Sequence, residues 1–329
     1  MQRRLDGRHG RRTRAALAAG RARSGGGLLL EAWCVWAMLP DAAAEARLPA
    51  GARALDFGPA PESARVGAPW SHEQVAAVRS ESGKTADLWH LKGLLPPDGV
   101  ERVLEFARSA DYRTDADTVD QKPTFETYVM EGAAWTGAAA GLALQAWAEA
   151  DLLAYVRRRF ACAGCVLCEG LVRRYVPHER RQHPTHYDFH AFATVVLGLN
   201  PEDFVGGLYV QTNHSAASRR YVELGKGDAV LHQFGLQHGV NVQDGVRYSL
   251  IFWVKDSMKS CLDKSTPWYF GLAKAGDPDA QYQSGKVRAE GQKGIKQDMA
   301  KAAAWYRKAA RQGHLQAMES LATLYLRGE

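Results

Sequence analysis

Two side chains one residue apart constrain this chain more than any other feature: His186 and Asp188, in the run His183-Pro-Thr-His-Tyr-Asp188. Successive side chains on a β-strand point to opposite faces, so these two share a face and can grip one ion together. Extended chain is therefore expected here. His238, followed by Gly239 and Val240, offers a third ligand. Two imidazoles and one carboxylate on one side of an ion leave its remaining positions open to ligands from solution. Arg247 follows His238 by nine residues, and a guanidinium fork there can hold a carboxylate through two parallel hydrogen bonds. Ser249, two positions on and on the same strand face, can add a hydroxyl donor.

Other histidines compete. His190 has the parity of His186 and Asp188 and can line the same cavity, while His232 lies six residues before His238 and contends for the distal role. Gly239 and the spacing to Arg247 favour His238. His232 and His183 read as hydrogen-bonded core.

The flanking pattern is that of many short strands. Apolar residues take strand spacing from Val166 to Val176, again over 194–199, and in short runs at 208–211, 221–224, 229–234 and 248–254. Gly, Pro and Asn separate them, which predicts a sandwich or jelly roll. Upstream, 88–91 reads as a strand and Pro96-Pro97-Asp98 opens a helix, with proline tolerated in the first turn. Helical patterns at 139–148 and 151–160 should buttress a sheet. The polar stretch 111–127 reads as a surface loop.

The ordered set of motifs resembles the Fe(II)/2-oxoglutarate-dependent dioxygenases of the prolyl 4-hydroxylase-like branch. It comprises Tyr175, His186 with Asp188, Thr194 with Leu199-Asn200, Gly206-Gly207, Gly227-Asp228-Ala229, His238-Gly239, and Arg247 with Ser249. The match covers about residues 86–256, and the mobile substrate-covering loop of that family makes Tyr112 to Tyr128 a candidate lid, with a plain surface loop as the alternative. It implies a double-stranded β-helix, a ferrous ion on His186, Asp188 and His238, and 2-oxoglutarate held by Arg247 and Ser249, with Tyr175 and Thr194 in the cosubstrate pocket. It also implies O2 as co-reactant and ascorbate as reductant. The implied reaction is hydroxylation of a C–H bond, by default on a prolyl residue of a protein or peptide, coupled to conversion of 2-oxoglutarate to succinate. Another side chain, a small molecule, or a non-catalytic scaffold are the alternatives. Two departures bear on this: Gly198 stands where many relatives carry Tyr before Leu-Asn, and Leu208-Tyr209 where a Glu-Thr pair is usual.

Charge excludes one partner class. The formal net charge is +6, but the eight Arg and one Asp of residues 1–23 supply +7, leaving −1 for the remainder. The basic character belongs to a tail and argues against a folded nucleic-acid surface. Residues 3–23 are Arg-rich and acid-poor like organellar transit peptides, and the apolar run 28–39 has signal-peptide length, so an organellar or endoplasmic-reticulum destination is expected. The run is too short to span a bilayer, which takes about 20 residues.

Cys162, Cys165 and Cys168 form Cys-x-x-Cys-x-x-Cys, with only Cys34 and Cys261 besides. A zinc or iron–sulfur site needs four ligands, so plain thiols are the better reading. The odd count also argues against a disulfide framework.

Beyond Trp253 a repeat emerges. Gly276 to Gln281 overlays Gly313 to Met318, and Gly291 overlays Gly328, at a constant offset of 37 residues. Such an offset signals helical hairpins, and the segment resembles the Sel-one-like repeat, a tetratricopeptide relative. The expected organisation is a leader (1–83), a dioxygenase domain (84–256), a linker (257–271) and helical repeats (272–329) that bind a protein partner. The expected class is α+β: a jelly roll with supporting helices, then a short α-helical repeat region.

Overall fold

The computed structural model describes residues 47–59, 73–79, 85–137, 139–213, 215–291 and 295–328, all within one compact unit. The leader motifs at 3–23 and 28–39 lie outside the described residues.

Eight strands wind the core: β6 (Val166–Tyr175), β7 (Gln182–His186), β8 (Ala193–Gly198), β9 (Phe204–Val210), β10 (Arg220–Tyr221), β11 (Ala229–Gln233), β12 (His238–Gly245) and β13 (Arg247–Lys255). The chain crosses repeatedly between two sheets. One has the order β10-β9-β12-β7, and the other contains β11-β8-β13-β6, every neighbouring pair antiparallel. This winding is a jelly roll. The larger sheet is extended on one side by β1 (Gly58–Pro59), β2 (Glu73–Arg79) and β3 (Thr85–Leu91), and on the other by β4 (Glu126–Glu131) and β5 (Ala134–Trp135).

Period-two patterning decides which face each residue serves. On β13, Leu250, Phe252 and Val254 join the apolar core beneath the helices, whereas Arg247, Ser249, Ile251 and Trp253 line the cavity between the sheets. β8 divides likewise, with Thr194 and Val196 turned to the cavity. Helix α1 (Pro97–Ser109) opens on the expected proline and buries Val100, Val103, Leu104 and Ala107, one stripe at helical spacing. Helices α2 (Ala139–Trp147) and α3 (Leu153–Arg159) are joined by a π-turn over 148–152 into one continuous rod.

Three expectations need correction. Residues 73–79 were placed in a leader, but Val75 and Val78 carry a strand that pairs with β3 along its whole length; the surrounding Ala/Arg-rich composition masked it. The stretch 257–271 is largely helical: it holds α4 (Met258–Asp263), begun by a Ser257/Ser260 capping box, and the start of α5 (Trp268–Ala275). The cysteines are bridged, Cys162 to Cys165 and Cys168 to Cys261. An odd count conceals such pairing when one cysteine, Cys34, stands far from the rest in the sequence and outside the described residues. The second bridge ties β6 to α4 and so anchors the segment that leads out of the barrel.

After α5 come α6 (Pro278–Glu290), α7 (Met299–Ala310) and α8 (Leu315–Arg327), each begun by a side-chain cap: Asp277, Asp298 and His314. These helices pack on the barrel. Phe234 at the end of β11 forms one apolar cluster with Tyr269, Ala273 and Ala280, joined by Phe189, Phe192 and Trp305. Among the described residues no helix is long and apolar enough to cross a membrane.

Candidate metal centre

β7 ends on His186 and β12 begins on His238, and these residues are direct cross-strand partners. Their rings lie 4.5 Å apart. Asp188 follows two residues past the end of β7. Its Oδ1 lies 3.3 Å from His186 Nε2 and its Oδ2 3.6 Å from His238 Nε2. One donor atom from each of the three falls within 4.8 Å of the others, which suits a single ion between them.

The tautomers follow from the backbone. Nδ1 of His186 faces the Pro184 carbonyl at 2.8 Å and Nδ1 of His238 faces that of Leu236 at 3.1 Å. Only an Nδ1–H can donate there, so each ring presents the Nε2 lone pair inward. Charge is equally suited to a cation. Burial alone would raise the Asp188 carboxyl, yet His238 and His186 hold it well below the ordinary carboxylate range. Burial, with His232 alongside, pushes His238 well below the usual imidazole value. An anionic carboxylate and a neutral imidazole are the ligating forms.

Thr194, assigned from the resemblance to the cosubstrate pocket, lines the cavity but commits its hydroxyl proton to Asp188 Oδ2 at 2.6 Å. It orients the carboxylate. Tyr175 and Arg247 are cross-strand partners on β6 and β13. The guanidinium sits 5.5 Å from the Tyr175 ring and 5.8 Å from that of Phe204. Arg247 is 3% exposed, donates to Ser249 Oγ at 3.2 Å, and has no carboxylate partner among the described residues. Burial draws it down to about 10, with the Tyr175 phenol opposing and Arg173 adding. The Tyr175 hydroxyl is buried without a partner. A fixed cation and an orphaned phenol on one wall are what an anionic oxo-acid requires.

The remaining histidines form a shell. The His183 ring lies 4.1 Å from that of His186, tilted by 47°, with its Nε2 against Asp117 Oδ2 at 2.7 Å. The His232 ring lies 4.4 Å from that of His238, tilted by 57°. His190 packs edge-on against Trp253, and burial pushes it down to about 4, so it is neutral near pH 7. None of the three joins the ligand set.

Several contributors carried no motif. Arg173 lines the cavity and pairs with Glu126 of β4. Asp117 lies in the candidate lid, where Arg180 bonds both it and Asp120, at 3.2 and 3.0 Å. The loop is thereby tied to the ring beside a metal ligand. Gly198 now has a steric reason: a Cβ there would meet the Gly225 carbonyl at 2.8 Å. Asp228 of the Gly-Asp-Ala motif is a lock, bonded to His90 Nε2 at 2.9 Å and accepting from the Gly93 amide at 2.8 Å.

Residues 278–314 match the Sel1 repeat family, in the region where the 37-residue offset pointed to helical hairpins. Among curated proteins none matches the sequence. Solved structures of similar chain trace include an oxidoreductase of the 2OG-Fe(II) oxygenase family from Burkholderia pseudomallei, with 11% identity over 51% of this chain and 85% of that one, at a TM-score of 0.42. A prolyl-4-hydroxylase from Pseudomonas putida shows 21% identity over 51% and 91%, at 0.39. A viral collagen prolyl hydroxylase from Paramecium Bursaria Chlorella virus-1 shows 14% over 51% and 94%, at 0.37.

Proposed function

We propose that this chain is an Fe(II)- and 2-oxoglutarate-dependent hydroxylase acting on a prolyl residue of a protein or peptide. The observation that carries the reading is one cavity holding a His-Asp-His donor set and a buried arginine with no carboxylate of its own among the described residues. Ferrous iron, when bound, supplies the O2 chemistry and the oxidative decarboxylation of the oxo-acid to succinate, with ascorbate as the external reductant.

The protein's part is positional. His186, Asp188 and His238 would hold the ion on one side and leave the other free for ligands. Arg247 and Ser249 would take the distal carboxylate of the oxo-acid, and the Tyr175 hydroxyl has a proton to donate to it. Thr194 keeps Asp188 from rotating away. Leu208, Val196 and Ile251 complete a largely apolar lining that excludes water. The cavity is narrow, with about 30 Å³ of open space.

The test is succinate formation from 2-oxoglutarate with Fe(II) and ascorbate, with and without proline-rich peptides, and mass spectrometry of the peptides. Peptide-stimulated turnover with one oxygen added at proline is the expected result. Turnover without peptide modification points to another acceptor. No turnover and no iron binding would leave a scaffold.

A further inference from the structure

A second opening lies beside the metal centre, between the barrel and the repeat helices. Its barrel wall includes Tyr187, Phe189 and Gln237; its repeat wall includes Tyr282, Gln283 and His314. Tyr187 and Phe189 flank the ligand Asp188, and Gln237 precedes the ligand His238, so the cleft runs along the chain segments that hold the metal. It offers about 450 Å³, within the range of ligand sites and far more than the metal cavity. Whatever is hydroxylated must keep most of its bulk outside the metal cavity.

The lining indicates what lies there. Each wall carries a stacked aromatic pair: Tyr187 on Phe189 at 5.0 Å, and Tyr282 on His314 at 4.7 Å, both 28° from parallel. Flat faces of this kind receive rings and apolar side chains. Between them stand side-chain amides, Gln237 and Gln283 with Asn213, Gln312 and Gln316. An amide donates and accepts at once, as a peptide group does. The Gln283 amide nitrogen is buried without a partner, and such a donor ordinarily has one. The two charges that line the cleft are already paired, Asp279 with His314 at 3.3 Å and Lys286 with Glu290 at 3.8 Å. An uncharged ligand suits this surface better than a polyanion.

The two walls are also joined by packing. Phe189 packs against Tyr269 at 6.0 Å within the cluster that unites barrel and helices.

We infer that this cleft seats an extended, uncharged segment of the substrate polypeptide, and that Tyr282, Gln283 and Gln316 of the repeat helices select it. The inference rests on the hydroxylase reading above and makes the repeat a wall of the substrate site rather than a remote adaptor.

The test uses the full chain and fluorescein-labelled short peptides, uncharged, some proline-rich and some proline-free, with binding read by anisotropy in the absence of iron. Tyr282→Ala and Gln283→Leu should each weaken binding of the preferred peptide by roughly tenfold. Gln316→Arg, an exposed change that spares folding, should weaken it severalfold. Leu326→Ser, on the far end of α8 and outside the cleft, should leave both peptide binding and peptide-independent succinate formation unchanged. Peptide binding that persists in a protein unable to consume 2-oxoglutarate would sink the metal reading and keep the cleft. Unchanged affinity in Tyr282→Ala and Gln316→Arg overturns the cleft, as does failure of the wild-type chain to bind any peptide. Displacement of bound peptide by maltohexaose at equal concentration would reassign the cleft to carbohydrate and overturn it too.

Discussion

The metal cavity draws its whole lining from the barrel and leaves about 30 Å³ open, whereas the adjacent cleft draws on barrel and repeat together and leaves about 450 Å³. In the cavity every functional side chain stands on a strand or just past one, where the pleat decides its direction and cross-strand pairs decide its neighbours. In the cleft, loops, helix ends and one face of α6 supply the lining, and no single periodicity governs it. Chemistry that tolerates small errors only is assigned to the sheet, and recognition that must adapt to a partner is assigned to the junction. The two regions should therefore fail differently when altered.

The largest loss is expected at the ligands. His238→Ala removes a buried imidazole, 5% exposed, that is one of the three donors of the set. Iron affinity should fall by at least ~100-fold, the upper end of what outer-shell changes cost, and succinate formation should fall with it. Binding of peptide to the cleft should persist. A variant that keeps both iron and turnover would show that His232, whose ring lies 4.4 Å from that of His238, serves instead.

A smaller loss is expected at the cosubstrate anchor. Arg247→Gln keeps a donor but removes the charge, and a hydrogen bond to a charged group contributes about 1.5–3 kcal/mol, so KM for 2-oxoglutarate should rise by roughly 10- to 100-fold. Iron affinity should hardly move, because the guanidinium contacts none of the ligands. An unchanged KM would place the oxo-acid elsewhere in the cavity and detach the arginine from the mechanism.

How far the sequence reveals each region follows from geometry. Arg247 and Ser249 are spaced by two on β13, and the strand turns that spacing into a shared face; His186 and Asp188 have the same spacing, but β7 ends at His186 and the chain just past it brings Asp188 alongside. His238 is reachable because the nine residues to Arg247 let one strand end and the next begin. Gly198 shows where this reasoning stops: the missing side chain was legible as a departure, but its cause is the carbonyl of Gly225 passing overhead. Asp117 and Arg173 were invisible for the same reason, since each matters through a partner, His183 or Glu126, that is 66 or 47 residues away. The strand at 73–79 was hidden by composition, and the bridge from Cys168 to Cys261 by a separation of 93 residues. The cleft shares this limit, because its walls are brought together only by the apolar cluster around Phe234 and Tyr269.

The smallest effect, and the one that separates two roles for a single side chain, is expected at Thr194. Its resemblance-based role is in the cosubstrate pocket, while its observed bond runs to Asp188 Oδ2 at 2.6 Å. Thr194→Val preserves shape and deletes that donor, leaving a buried carboxylate oxygen one partner short. If the hydroxyl orients the carboxylate, iron affinity should drop by about tenfold, the lower end for outer-shell partners, and KM for 2-oxoglutarate should stay near wild type once iron is saturating. Thr194→Ser should restore most of the affinity because the hydroxyl returns on the same strand face. If instead Thr194 touches the oxo-acid, the pattern inverts: KM rises and iron titration is unaffected. The comparison with Arg247→Gln makes the assignment unambiguous, since the two residues line the same cavity from neighbouring strands and only one of them bonds a metal ligand.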